Sequence, residues 1–202
     1  MFSKRINTVI TTITVGGLLL VGCTPTSEPT PPTITTTTPT PTATTVAPPA
    51  NEEEAIAAAD AALTNWFIVR GEVNAAGGTD TDRLEALALG TALELTLNDA
   101  ANTATGPVLN EDQVNIDGPA TTEGAMRHEL ITAYGQEYEG IDNGMVTINA
   151  CQDASEYVIR ASDGSLAMRP ERQRVLIDFD VVYDAERQAW LVYKLTNLDQ
   201  PC

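Results

Sequence analysis

Positive charge is scarce in this 202-residue chain: 11 lysines and arginines stand against 28 acidic residues, a formal net charge of -17. Such a surface argues against nucleic-acid binding, which needs a basic face for the phosphates. There is one histidine, His128, and there are three cysteines with no Cys-x-x-Cys pair, so redox-thiol and zinc sites lack their usual ligands. The phosphate-cradling loop that ends in Gly-Lys-Ser/Thr is missing, as are His-Glu-x-x-His and Gly-x-Ser-x-Gly. Neither a cofactor nor a metal is expected from these residues.

Proline is unevenly spread, with eight of the 12 lying between Pro25 and Pro49, and this divides the chain into residues 1–22, 23–50 and 51–202. In the first part Lys4 and Arg5 precede an apolar run from Val9 to Leu20. That run is too short for a stable transmembrane helix, which needs roughly 20 apolar residues, and reads as an export signal. The Leu20-Val21-Gly22-Cys23 tetrapeptide that follows resembles a bacterial lipobox. The resemblance implies diacylglyceryl transfer to the Cys23 thiol and cleavage before it, leaving the chain anchored to the cell membrane by acyl groups such as palmitate, on the extracytoplasmic face. Each acyl methylene buried in lipid contributes roughly 0.8 kcal/mol.

From Thr24 to Ala50, 12 of 27 residues are threonine and eight are proline. Nothing there can bury a core, and proline favours an extended chain of about 3.1 Å per residue, so this segment is expected to be a disordered stalk. Threonine with proline also suits O-glycosylation, although the composition fits an unmodified tether equally well.

The remaining 152 residues are enough to bury about two-thirds of their unfolded surface around one core. Helical periodicity comes first. Asn51 is placed to cap a helix with Glu54 three residues on, and Ile56, Ala59, Leu63 and Trp66 then share one face beside Phe67. Gly71 is the expected stop. Asp82 and Glu85 read as a capping box opening a second helical region, which carries Leu84, Leu87, Ala88, Leu93, Leu97 and Ala101 and is split or bent at Gly90.

After Gly106-Pro107 the pattern alternates, predicting strands near Gln113–Asp117, Met126–Tyr138, Met145–Cys151 with a possible extension to Ile159, Gln173–Tyr183 and Trp190–Leu198. Asn143-Gly144 and Asp163-Gly164 are the dipeptides expected at tight turns. Val175, Ile177, Phe179, Val181 and Tyr183 alternate with Arg174, Asp178 and Asp180, the pattern of an antiparallel strand with one buried face. Helices followed by antiparallel strands predict an α+β domain with the helices on one face of the sheet. The run Gln113-Val114-Asn115-Ile116-Asp117-Gly118 faintly resembles a calcium loop, but Gln113 replaces the leading acid and Gly124 stands where a bidentate glutamate is required.

Taken together, several features look like those of actinobacterial cell-envelope lipoproteins. They are the lipobox, the Thr/Pro stalk, the alanine-rich helix with Trp66, Gly90-Thr91-Ala92-Leu93, Ala150-Cys151-Gln152-Asp153, Trp190-Leu191-Val192 and the terminal Pro201-Cys202. The folded part of such proteins is similar to the NTF2-like domain, a cone in which a curved antiparallel sheet wraps around N-terminal helices. The resemblance implies that fold for residues 51–202 and carries no catalytic residue across.

With Cys23 lipidated, Cys151 and Cys202 are left as an even pair in an exported domain, and such pairs usually join. Their disulfide would close a loop contributing about 4 kcal/mol in the chain-entropy description. His128 shares strand parity with Met126, Leu130 and Tyr134 and is expected to face the interior. In NTF2-like enzymes that interior is the active site, so His128, Tyr134, Asp153 and Tyr157 are the candidate pocket residues, able in principle to abstract a proton beside a carbonyl. The simpler expectations are a hydrogen-bonded core histidine and a turn-forming aspartate. From Asn51 onward 27 acids face 9 basic residues, an excess that keeps an exported domain soluble or meets a basic partner or divalent cations. Two function classes follow: a non-catalytic envelope lipoprotein binding a partner protein or a small apolar ligand, and an acid-base enzyme with an enclosed pocket. They differ in whether His128, Asp153 and a tyrosine converge within hydrogen-bond reach.

Overall fold

A computed structural model of the chain describes residues 46–202; the expected export signal, Cys23 and nearly all of the expected stalk lie outside the described residues. The first helix, α1 (Glu52–Ala75), starts as its sequence dictates, with the Asn51 side chain accepting a hydrogen bond from the Glu54 N–H at 3.0 Å and three glutamates in the first turn. Ala55, Ala59, Leu63, Trp66 and Phe67 form its buried stripe, which continues through Arg70, Val73 and Asn74.

Gly71, the expected stop, lies inside the helix. Glycine costs about 1 kcal/mol there, but Val73, two residues further on, is buried in a cluster with Leu84 and Ala100, and that packing carries the helix on. The chain turns instead at Gly77 and Gly78. At Gly78, with φ +71°, a Cβ would stand 2.1 Å from the Ala100 carbonyl oxygen, so only glycine fits this approach.

A single turn, α2 (Asp82–Glu85), follows without the expected capping box: Thr81 occupies the cap position and makes no side-chain bond to the helix, while Asp82 is already helical. Helix α3 (Gly90–Thr105) begins at Gly90, confirming a break there; φ is +57° and the Tyr193 ring fills the space of a Cβ.

The strands are β1 (Val108–Leu109), β2 (Asn115–Ile116), β3 (Thr121–Glu123), β4 (Arg127–Tyr138), β5 (Ile141–Asp153), β6 (Val158–Arg160), β7 (Arg174–Asp184) and β8 (Ala189–Pro201). They form an antiparallel four-stranded sheet in the order β4-β5-β7-β8 and two short ribbons, β1-β2 and β3-β6. Asn115 and Ile116, within the stretch resembling a calcium loop, pair with Leu109 and Val108. The expected hairpin at Asn143-Gly144 lies elsewhere: β4 and β5 turn at Glu139-Gly140, where Tyr138 pairs with Ile141, and Asn143 sits at φ +56° in a bulge beyond. Asp163-Gly164 does form a turn, between β6 and Leu166.

The domain is α+β, and α1 packs across one face of the four-stranded sheet. Ala55, Leu63, Trp66 and Phe67 from the helix meet Val146, Ile148, Ile177, Phe179, Val181 and Trp190 from the strands in one dry cluster. The opposite face of the sheet carries polar pairs, Thr147 with Asp180 at 2.7 Å and Asn149 with Asp178 at 2.8 Å. Leu87–Leu89 runs along edge strand β8, exchanging backbone bonds with Val192, which covers part of an otherwise open edge. Cys151 on β5 is bonded to Cys202, with Cα atoms 5.8 Å apart, so the C-terminal residue is tied to the sheet. Val46, within the expected stalk, bonds to Gln188 and to the Tyr183 hydroxyl. Among the described residues no helix is long and apolar enough to cross a membrane.

Candidate functional site

The four candidate residues do not meet. His128 does face inward, and its ring is stacked against Phe67 at 5.5 Å with Nε2 2.8 Å from the Asp60 carboxylate on α1. Its side chain is 8% exposed, which makes it a hydrogen-bonded core residue fastening β4 to the helix. Tyr134, expected on the same face, points outward and is 52% exposed. The reason is a bulge: Leu130 pairs with Ala150 and Thr132 with Asn149, leaving Ile131 unpaired. One inserted residue reverses every later side chain, so Ala133 takes the core position beside Ile148.

Asp153 lies one position from the partner of His128 and therefore on the other face of β5. It forms a turn with Ser155, whose N–H donates to it at 2.8 Å. Hydrogen bonds from Ser155, from its side chain first and its backbone second, hold the Asp153 carboxyl below the usual aspartate range, with Arg174 adding to the effect. Asp153 is thus the turn-forming aspartate of the simpler expectation.

Tyr157 leads to a different place. Its hydroxyl accepts a hydrogen bond from Asn74 Nδ2 at 3.3 Å, and both residues line a cavity of about 320 Å³ between the second half of α1, the end of α3 and the two short ribbons. One wall is polar: Arg70 and Asn74 from α1, with Asp99 from α3. The other is apolar, with Met126, Val108, Ile159 and Met168. Arg70 Nη2 donates to the Asp99 carboxylate, so the wall carries one charge of each sign. The Arg70 guanidinium also lies over the Trp66 ring, 5.1 Å from its centroid.

Among the described residues, three buried side-chain nitrogen or oxygen atoms have no hydrogen-bond partner: Trp66 Nε1, Arg70 Nε and Asn74 Oδ1. All three residues fall at four-residue spacing on one stripe of α1. Asn74 is 2% exposed and Arg70 8%. Each such orphan costs about 1–3 kcal/mol, and native structures keep few of them.

Sequence reasoning named Tyr157 and missed Arg70, Asn74 and Asp99. The signal was present, because Arg70 and Asn74 continue the Leu63-Trp66 stripe, and polar residues on a buried stripe call for an explanation. Ending the helix at Gly71 left Asn74 off that stripe.

No protein-family model matches the chain, and no curated protein does. Among solved structures it is similar to the intermembrane space region of the chloroplast protein ARC6, at 12% sequence identity and a TM-score of 0.42, over 70% of this chain and 95% of that one.

Proposed function

We propose that the protein is a cell-envelope lipoprotein of the actinobacterial kind, held on the extracytoplasmic face of the membrane through Cys23, whose NTF2-like domain binds a small ligand without transforming it. The lipobox and the Thr/Pro stalk support the anchoring. One observation carries the binding: a cavity of about 320 Å³ sets apolar Val108, Met126, Ile159 and Met168 against the largely buried polar side chains of Arg70 and Asn74. A pocket lined by apolar side chains with a few convergent polar groups is the usual form of a small-molecule site. The separation of His128, Asp153 and Tyr134 and the burial of His128 against Phe67 and Asp60 support a binding reading over an acid-base site built on those residues.

Native mass spectrometry of the full chain, purified in mild detergent from the cells that produce it, tests this. The expected spectrum shows the lipidated chain carrying a small molecule that is lost in Met168→Trp, where an indole obstructs the cavity. A bare lipidated chain, or a bound mass unaffected by that substitution, overturns the binding reading. Metabolic labelling with a fatty acid tests the anchor separately: Cys23→Ala abolishes the label, and unchanged labelling would defeat the lipoprotein reading.

A further inference from the structure

Two cavities meet at one wall. The cavity of about 320 Å³ described above and a second of about 80 Å³ are both lined by Tyr157, Ile159, Ala167 and Met168. The backbone of this wall is fixed on both sides, because the Ala167 N–H donates to the Ile159 carbonyl at 2.9 Å and the Met168 N–H to the Leu109 carbonyl at 2.7 Å. The Met168 side chain is half exposed, and an unbranched thioether with three rotatable bonds adapts to an occupant. A flexible chain can therefore lie against both sides of the wall, where a compact molecule fills one. The surface open to an occupant is chiefly apolar in both cavities. Val108, Met126 and Ile159 line the larger, where Arg70 and Asn74 are only 8% and 2% exposed, and the smaller adds Val158, Leu166 and Pro170. Such surfaces take hydrocarbon, and a volume at the small end of ligand pockets favours one chain over two.

The smaller cavity also carries a positive charge with no counter-charge. Among the described residues Arg70, Arg83, Arg127, Arg160, Arg174 and Arg187 each have a carboxylate at 3.7 Å or closer. Arg169, Arg172 and Lys194 have none, and of these Arg169 alone lines either cavity. Its Nη2 donates to the carbonyls of Ala154, Ser155 and Tyr157 and to Gln173 Oε1, all neutral acceptors that leave the charge uncancelled. Glu156, beside those carbonyls, is engaged by Arg127, and Glu171 is exposed. The Arg169 Nε and Nη1 N–H groups bond to nothing among the described residues, and neither nitrogen is one of the three buried orphans, so both are open to solvent. A half-buried guanidinium with free N–H groups beside an apolar slot suits the oxygens of a carboxylate or a phosphate.

Resting on the small-ligand reading above, we infer that the ligand is an anionic single-chain amphiphile: its head accepts hydrogen bonds from Arg169 Nε and Nη1 at the smaller cavity, and its hydrocarbon chain passes the Met168 side chain into the larger one. The test is titration of the full chain, stripped of any co-purified molecule and kept in mild detergent, with four probes that share an unbranched dodecyl chain: dodecanoate, dodecyl phosphate, dodecanol and dodecylammonium. Binding is read by native mass spectrometry. At least one of the two anions binds about tenfold or more tightly than the alcohol and the ammonium ion, the gain expected from a charge-assisted hydrogen bond, and the tighter anion tells a carboxylate head from a phosphate one. Acetate and inorganic phosphate, heads without a chain, do not displace it. Arg169→Gln removes the preference over dodecanol and Arg169→Lys keeps it; the comparison of heads on the unsubstituted chain decides the matter even if Arg169→Gln fails to fold. Met168→Trp, which obstructs the shared wall, abolishes binding. Dodecanol or dodecylammonium binding as tightly as both anions, or displacement by acetate or phosphate, overturns the amphiphile assignment and leaves the small-ligand reading standing. Failure of all four probes on a chain that carries its own ligand in native spectra does the same. Failure of all four with no ligand in native spectra removes both readings.

Discussion

The two halves of α1 are built on one continuous stripe, yet they face different surroundings. From Ala55 to Phe67 the stripe is apolar and closes against the four-stranded sheet. From Arg70 to Asn74 it is largely polar and lines a cavity. Burying the first half returns roughly 25 cal/mol for each Å² of apolar surface. The second half takes hydrogen-bonding atoms out of water without pairing all of them, which works against stability. One helix thus serves two ends: its first half holds the domain together, and its second half lines a cavity with polar side chains.

The largest effect should come from breaking the dry half. Phe179 is fully buried and stacks edge-on against Phe67 at 5.8 Å. Phe179→Ala is expected to cost about 3–5 kcal/mol in denaturant unfolding. A loss below about 1 kcal/mol would mean that the cluster is not the core.

Removing the tie between β5 and the C-terminus comes next. Cys202→Ser should cost about 2–4 kcal/mol while leaving the cavity ligand in native spectra, because the disulfide belongs to the sheet and contributes nothing to the polar wall. Loss of the ligand together with the stability would show that the two regions are coupled.

Gly71 sits between the two halves, and a Cβ there would meet nothing within 4 Å. Gly71→Ala should therefore raise stability by roughly 0.5–1 kcal/mol, read as a higher unfolding midpoint; a drop would contradict an uninterrupted helix.

The smallest effect is on the acid side. Asp153 and Asp163 are each held below the ordinary aspartate pKa, chiefly by hydrogen bonds from the side chains of Ser155 and Ser165. With the folded pKa below the unfolded one, their contribution is fully present above the unfolded value and is lost as pH falls through the folded one. Asp163 is exposed and Asp153 partly so, so the effect is slight. Unfolding midpoints followed from neutral pH down through the carboxylate range should decline a little less steeply in Asp163→Asn, and an unchanged slope would show that its turn bonds contribute nothing.

Much of the fold was legible because its signals are local and periodic. Asn51 and Glu54 mark the start of α1, and the alternation in Val175–Tyr183 gives the buried face of β7 without reference to any other strand. The misses arose where tertiary packing decided. Gly71 reads as a terminus until Val73 is seen packed beside Leu84 and Ala100. The bulge at Ile131 has no sequence marker, because isoleucine is a good strand residue, yet it carries Tyr134 from the core face to solvent. Asn143-Gly144 has turn chemistry and uses it in a bulge, two residues beyond the turn that closes the hairpin. Of the cavity, the sequence announced Tyr157 alone. Arg70 and Asp99 come from helices that meet only in three dimensions, and no spacing rule connects them.

If the second half of α1 lines a ligand cavity and does not hold the fold together, Asn74 is dispensable for stability. The direct test is the unfolding free energy of ligand-stripped Asn74→Leu, compared with stripped wild type by denaturant titration. Leucine matches asparagine in shape, removes the orphaned oxygen and forgoes only the bond to Tyr157. The account predicts that stability is unchanged or rises, by up to about 1 kcal/mol. A loss of about 2 kcal/mol or more would contradict it, showing that the Asn74 amide is a structural element of the domain.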